Sequence, residues 1–258
     1  KYNYIFPRPK KDEFCEDKKY TLKCKYTDGD LITFYKENKD GNSDIKITKD
    51  LTLDRDEYTL KVDENGITIT ASCDDGVFRA LTSLRQLIKK GNGEVLYSDI
   101  HDKPAFKQRG YMWDISRQRK PKVDYILRIV DMLAELKYNE FHLYMEDFSF
   151  KFEAFPQYTA DYDCLTAEDI RNIDAYCKER FIELVPDLNG MGHMTAWLEK
   201  DECKHLAVTH DTINFLDPET FELMDKSYGS LLPNFSSKRV HIGLDEAMGL
   251  GKNQTEEK

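Results

Sequence analysis

The order of apolar and polar residues changes character along the chain. Over the first hundred positions, short β-rich runs alternate with clusters of turn residues, and residues 20–26, 31–36, 58–62 and 67–71 read as strands. The last two flank Asp63-Glu64-Asn65-Gly66, where Asn-Gly supplies the backbone freedom of a tight hairpin. From Gly76 the period lengthens: Val77, Phe78, Leu81, Leu84, Leu87 and Ile88 recur at helical spacing, with Asp74 or Asp75 placed as cap and Gly91 as stop. A small α+β domain over residues 1–105 follows. Residues 99–107, charged and holding Pro104, read as a link.

Past the link the pattern becomes strand, helix, strand, helix, which is the sign of parallel βα units. Residues 109–114, 140–145, 181–186 and 239–243 are short and largely apolar, as buried parallel strands should be. Between them, residues 121–137 carry Val123, Ile126, Leu127, Val130, Leu133 and Leu136 on one face; Thr166 caps a helix bearing Ile170, Ile173 and Cys177. Asp217-Pro218 opens a third helix with Phe221, Met224, Tyr228 and Leu231. In a (β/α)8 barrel the chemistry lies just after each strand. Those places hold Asp114, then Glu146-Asp147, then Asp187 through His193, then Asp245-Glu246.

Composition narrows the partners. With 258 residues, 40% of them apolar, the chain can bury a core, and a formal charge of -10 argues against nucleic acid or an anionic membrane while permitting a neutral substrate. No apolar run approaches the ~18 residues of a membrane span, and Lys1-Tyr2-Asn3-Tyr4 is no signal-peptide core. The six cysteines include no Cys-x-x-Cys pair and are expected as scattered buried thiols. Cys203, His205 and His210 lack zinc-binding spacing, so neither metal nor cofactor is expected.

Asp-Glu occurs five times, beginning at Asp12, Asp56, Asp63, Asp201 and Asp245, so the dipeptide alone means nothing. The last copy differs in its setting, because the apolar run Arg239-Val240-His241-Ile242-Gly243-Leu244 delivers it with no turn between. Spacing leaves a catalytic pair and a solvated pair equally open. The run His241-Ile-Gly-Leu-Asp-Glu, however, resembles the His-x-Gly-Gly-Asp-Glu motif of family 20 glycoside hydrolases, the β-N-acetylhexosaminidases. Two blocks in the same order agree with it: Arg109-Gly-Tyr-Met-Trp-Asp114 with Arg117 is similar to the family's first barrel strand, and Leu184-Val-Pro through Gly192-His193 to its third. Leu84-Arg-Gln-Leu87 resembles the end of the small domain preceding that barrel. Two positions depart: Leu244 replaces the motif's second Gly, and Asp187-Leu188-Asn189 stands where many members carry Pro-Glu-x-Asp, which leaves Asp187 without a carried-over role.

The resemblance implies a fold and a mechanism. It implies a (β/α)8 barrel over residues 106–258, of which strands one to four are present; a whole barrel takes ~250 residues. Asp245 would bind the substrate's 2-acetamido N–H and hold its carbonyl oxygen against the anomeric carbon, while Glu246 would protonate the leaving oxygen and then activate water. Burial and the Asp245 charge are expected to raise the Glu246 pKa, the two titrating together. Arg109, Asp147, His193 and His241 carry over as the substrate-binding shell. Each also has a structural reading: an ion pair for Arg109, capping or packing for His193, and support from within a strand for His241. Asp114 reads as structural; Trp113 and Trp197 suit core or sugar platform alike.

A half barrel leaves a sheet edge unprotected, so the partners expected are an N-acetylhexosamine-containing glycan together with a missing barrel half or self-association. Two rivals stand beside the hydrolase. One is a catalytically incompetent truncated hydrolase acting as a carbohydrate-binding or interaction module. The other is a βα isomerase or aldolase, which would show a strand-end lysine base or phosphate-binding glycines, and neither is found.

Overall fold

The computed structural model describes residues 4–24, 26, 29–117, 121–160 and 162–251. They form a mixed α/β structure of two compact units. The first comprises the described part of Lys1–Arg109 with Asp131–Asn139 and Glu179–Phe181; the second comprises the rest.

In the first unit β1 (Lys11–Thr21), α1 (Leu31–Asn38), β2 (Ile45–Lys49), β3 (Tyr58–Asp63), β4 (Gly66–Ala71), α2 (Asp74–Gly91) and β5 (Glu94–Asp102) follow one another. The sheet order is β1-β5-β3-β4-β2, antiparallel except between β2 and β4. The expected hairpin forms in register, with Asp63 opposite Gly66. Helix α2 runs over β3, β4 and β5, burying Val77, Phe78, Leu81, Leu84 and Leu87 beside fully buried Leu60, Ile69, Val95 and Ile100. Its N-cap is Cys73, one residue earlier than expected, and Asn92 closes it in the left-handed conformation after Gly91.

Four expectations fail here. The strand expected at residues 20–26 is instead β1, which runs from Lys11 and ends at Thr21. Residues 31–36 belong to a helix, because Asp30 accepts from the Thr33 amide as N-cap and Leu31, Ile32, Phe34, Tyr35 and Asn38 form one buried helical stripe. Of the expected link, residues 99–107, the first four are instead the end of β5, held by β1 and β3, while residues 103–107 lie in no strand or helix. The thiols are not uniformly buried either: Cys164, Cys177 and Cys203 are, but Cys15 is exposed and Cys24 and Cys73 are intermediate.

The second unit continues with β6 (Gly110–Asp114), α3 (Val123–Glu135, of which 131–135 joins the first unit), β7 (Glu140–Met145), α4 (Pro156–Thr159), α5 (Ala167–Glu179), β8 (Glu183–Leu188), α6 (Thr195–Leu198) and α7 (Pro218–Leu231). Strands β6, β7 and β8 form a parallel sheet in that order. Helix α5 starts from a capping box in which Thr166 Oγ1 accepts from the Asp169 amide and Asp169 accepts from the Thr166 amide. Asp217 caps α7 as expected. Strand β8 starts at Glu183 rather than at 181, because Phe181 has φ +55 and the Ile182 amide donates back to Cys177 O, a left-handed helix stop.

The strands are not apolar throughout. Phe141, Leu143 and Met145 of β7 and Leu184 and Leu188 of β8 are buried on one pleat face, while Glu140, His142 and Tyr144, with Glu183 and Asp187, occupy the other. The fourth expected strand, 239–243, is corrected. It touches β8 through one isolated parallel bridge, Asp187 to His241, because the backbone turns left-handed at Gly243 (φ +47) before a ladder can extend.

Candidate active site

The polar pleat face leads to the ends of β7 and β8, where two loops and the 239–246 segment meet. Two residues there hold left-handed backbone without being glycine, His193 (φ +58) and Glu246 (φ +50), a conformation that costs free energy and persists where surroundings enforce it. Two glycines permit the approach. A Cβ on Gly192 would lie 2.6 Å from Asp245 O, and one on Gly243 would lie 1.8 Å from the Asn189 amide.

His193 joins the carboxylates. Its Nε2 lies 3.2 Å from Glu246 Oε2 and 3.8 Å from Asp245 Oδ2, and its Nδ1 lies 3.6 Å from Glu146 Oε2. Glu146 is buried and held from the other side by Arg117, 2.7 Å from its Oε1, while Arg117 also pairs with Asp114 at 3.0 Å. The Glu146 amide donates to Ser116 Oγ. Glu146 thus orients one imidazole nitrogen, leaving the other for the Asp245-Glu246 pair.

A second path runs through uncharged groups. With its nitrogen turned toward acceptors, the buried Asn189 amide donates to Gly243 O and to Asp245 Oδ1 (3.2 Å), and its oxygen lies 2.8 Å from the Tyr144 hydroxyl. That hydroxyl is also 2.9 Å from Glu146 Oε2 and has one proton to give between the two. Burial, then the bond to Glu146 and the charge of Asp245, raises the Tyr144 pKa well above the ordinary phenol range, so the proton stays on.

Below this lies a buried polar ladder. Asp187 has 0% exposure; its Oδ1 is 2.9 Å from His241 Nδ1 and its Oδ2 is 3.4 Å from His142 Nδ1. His142 Nε2 meets Glu140 Oε1 at 2.6 Å, and Glu140 pairs with Arg239, which also pairs with Glu183. Asp187 first, then Glu140, raises the His142 pKa against the opposing effect of burial. Burial raises the Glu140 carboxyl, yet His142 and Arg239 outweigh it and the net shift is downward.

Of the residues singled out in the sequence, Asp245, Glu246 and His193 are brought together, and His241 supports them from one turn of strand below. Asp147 is not: its carboxylate accepts from Ser149 Oγ at 2.5 Å, and the neighbour Glu146 faces His193 instead. Arg109 lies in the first unit, where its guanidinium bonds Asp56, Lys137 O and Phe106 O; the ion pair named as its alternative is what it makes. Trp197 and Trp113 pack against rings, Trp197 fully buried among Phe148, Phe152, Phe155 and Tyr158, and Trp113 against Tyr125. The burial expected for Glu246 is absent among the described residues: its side chain is 72% exposed, that of Asp245 57%. Sequence reasoning passed over Tyr144, and it named Glu146, Asp187 and Asn189 only as polar strand ends without giving them a role. The signal for Tyr144 and Asp187 was the every-second-residue alternation, which puts Glu140, His142 and Tyr144 of β7 and Glu183 and Asp187 of β8 on one face.

Comparisons with known proteins agree along nearly the whole chain. Residues 106–257 match the model of the glycosyl hydrolase family 20 catalytic domain, and residues 6–103 that of glycosyl hydrolase family 20 domain 2. A beta-hexosaminidase of Vibrio furnissii is 30% identical over 244 residues, covering 80% of this chain and 40% of that protein. Among solved structures, a family 20 exo beta-N-acetylglucosaminidase of Vibrio harveyi in complex with N-acetylglucosamine superimposes with TM-score 0.79 at 25% identity, over 95% of this chain and 47% of that one. A Flavobacterium johnsoniae chitobiase gives TM-score 0.80 at 25% identity, over 95% and 45%. The chain therefore spans less than half the length of these relatives.

Proposed function

Because this chain belongs to glycosyl hydrolase family 20, we propose that the protein hydrolyses terminal, non-reducing N-acetyl-β-D-hexosamine residues of glycans, using the substrate's own acetamido group as nucleophile. In this reading β6, β7 and β8 are the first three strands of a (β/α)8 barrel, the 239–243 segment follows β8 in the place of a fourth without forming a ladder, and residues 1–105 are a preceding domain. The observation that carries the reading is the meeting of Asp245, Glu246 and Glu146 on His193.

Each group then has a step. Asp245, its Oδ1 held by Asn189, accepts the acetamido N–H with its other oxygen, which orients the acetamido carbonyl oxygen toward the anomeric carbon. As that oxygen attacks, the glycosidic bond breaks and Glu246 gives its proton to the leaving oxygen. Glu246, now a carboxylate, takes a proton from water as the water opens the cyclic intermediate, and configuration is retained. His193, bracketed by Glu146 and Glu246, holds the acid in place.

A second reading, recognition of amino sugar without turnover, is favoured by the exposure of both carboxylates, 57% and 72%, since an open site leaves water at the reacting bond. Hydrolysis of an aryl N-acetyl-β-glucosaminide, with Glu246→Gln and Asp245→Asn alongside, separates the two. Turnover lost in both variants supports hydrolysis. Saturable binding of N-acetylglucosamine with no turnover supports the module.

A further inference from the structure

The 239–246 segment carries Asp245 and Glu246, yet little of it is fixed by ordinary sheet forces. Its backbone bonds to the β8 region are three: the His241 amide to Pro186 O, the Leu188 amide to His241 O, and the Gly190 amide to Gly243 O. Its alternate apolar side chains, Val240, Ile242 and Leu244, are exposed among the described residues. Burial of an apolar face is what normally forbids a strand from slipping, and a slip of one residue would turn every side chain to the other face. The polar face of the segment carries contacts that specify register in their own right.

Besides the contacts of Asp245 and Glu246 with His193, polar contacts hold the segment to its neighbours. Arg239 pairs with Glu140 and Glu183 at one end, Asn189 meets Gly243 and Asp245 at the other, and between them Asp187 meets His241. Asp187 is the only one of these anchors with no exposure at all. A wholly apolar replacement of Asp187 and its two histidine partners could fill these positions about as stably, since burying an ionised group is unfavourable unless its partners compensate. What a charge adds is selectivity: it accepts one placement of His241 and penalises the others. We infer that Asp187 is a positioning residue, which through His241 fixes the register of the 239–246 segment on β8 and so the place where Asp245 and Glu246 stand. The catalytic part of this inference rests on the proposed function; the register does not.

The other oxygen of Asp187 faces His142, which is also faced by Glu140 from its own strand and by the His241 ring at 6.1 Å. The imidazolium form of His142 balances the Asp187 charge. Because these carboxylates favour that form, the balance is complete at low pH and is lost as pH rises through the titration of His142.

Hydrogen–deuterium exchange on the 258-residue chain tests the register directly. In Asp187→Asn, protection of the His241, Leu188 and Gly190 amides is expected to fall at least ~10-fold while the β6–β7 ladder keeps its protection, by analogy with the ~10–100-fold effects of groups that orient a reacting residue. His241→Gln should reproduce the pattern and serves if Asp187→Asn does not fold. In the wild type, protection corrected for intrinsic exchange should decline as His142 deprotonates, a dependence absent from Asp187→Asn. Unchanged protection, or a loss spread evenly over β6, β7 and β8, would overturn the inference. In any preparation that hydrolyses the aryl glycoside, Asp187→Asn should lower kcat ~10–100-fold with KM within about threefold. A wild type without turnover sinks the proposed function and leaves the exchange result to decide the register.

Discussion

The two units of this chain treat their ionised groups in opposite ways. In the first, charges close on one another. Lys137, buried and itself left-handed just past α3, donates to Asp102 at 2.8 Å and to Tyr58 at 2.9 Å; burial opposes its charge, but Tyr58 and Asp102 outweigh it and raise its pKa. Asp56 is divided between Arg79 and Arg109, and Asp44 accepts from Tyr20 and the amides of Lys23 and Cys24. In the second unit the ladder from Glu183 to Asp187 is paired except where His142 Nδ1 and Asp187 Oδ2 approach to 3.4 Å, neither with a hydrogen-bond partner among the described residues, and the chain of contacts then opens: past His193 it ends in two carboxylates facing outward, Glu246 on left-handed backbone. Closed clusters hold a fold together; a supported but open one is available for chemistry.

The largest test of that contrast is Glu246→Gln. If the open end reacts, turnover of the aryl glycoside should fall ~10²–10⁴-fold, while thermal stability changes by no more than ~0.5 kcal/mol, as for exposed substitutions generally. A large loss of stability with it would mean that the open end is a structural cluster after all.

Lys137→Met is the reverse case. Removing one member of a buried pair typically costs ~3–5 kcal/mol, so denaturant unfolding should show a loss of that order, with kcat per folded molecule unchanged. A drop in kcat at full folding would erase the distinction between the units.

Gly243→Ala probes the boundary between closed and open parts. With φ +47 and the Asn189 amide in the place of a Cβ, the substitution should destabilise the second unit by ~1–3 kcal/mol and lower turnover together with it. Unfolding followed by Trp197 fluorescence would report the first effect; a stable variant would mean that the turn can relax.

The smallest effect concerns acid. Glu57 accepts from the Asp54 amide and, against burial, from His101 and Lys103, and its pKa is lowered from 4.5 to about 2. A lowered folded pKa gives stability that is present above the ordinary value and lost as pH falls from about 4.5 to about 2. Glu57→Gln should flatten that part of the stability profile and lower stability above it, where the wild type keeps the full contribution of the carboxylate.

Much of this was legible before any coordinates. The switch from short β runs to helical spacing at Gly76 located α2, Asp217-Pro218 located α7, and the resemblance of the His241–Glu246 run to a family motif, which spacing alone left undecided, singled out the open carboxylates. Errors arose where two patterns overlapped. Residues 31–36 alternate well enough for a strand, but Asp30 and the buried stripe ending at Asn38 make a helix. Between Glu146 and Asp147 nothing in the sequence chose, because where a strand becomes a loop the alternation that assigns faces no longer applies.

The sequence by itself determined the elements, their order and the residues able to do chemistry, because period, capping and turn formation depend on neighbours a few positions away. Only the tertiary structure decided which of those residues meet. His142, Asp187 and His241 come from three separated segments, as do Glu146, His193 and Glu246. Their distances follow from strand register and from glycines that let two backbones approach, and these are set by packing between segments whose separation along the chain carries no periodic signal.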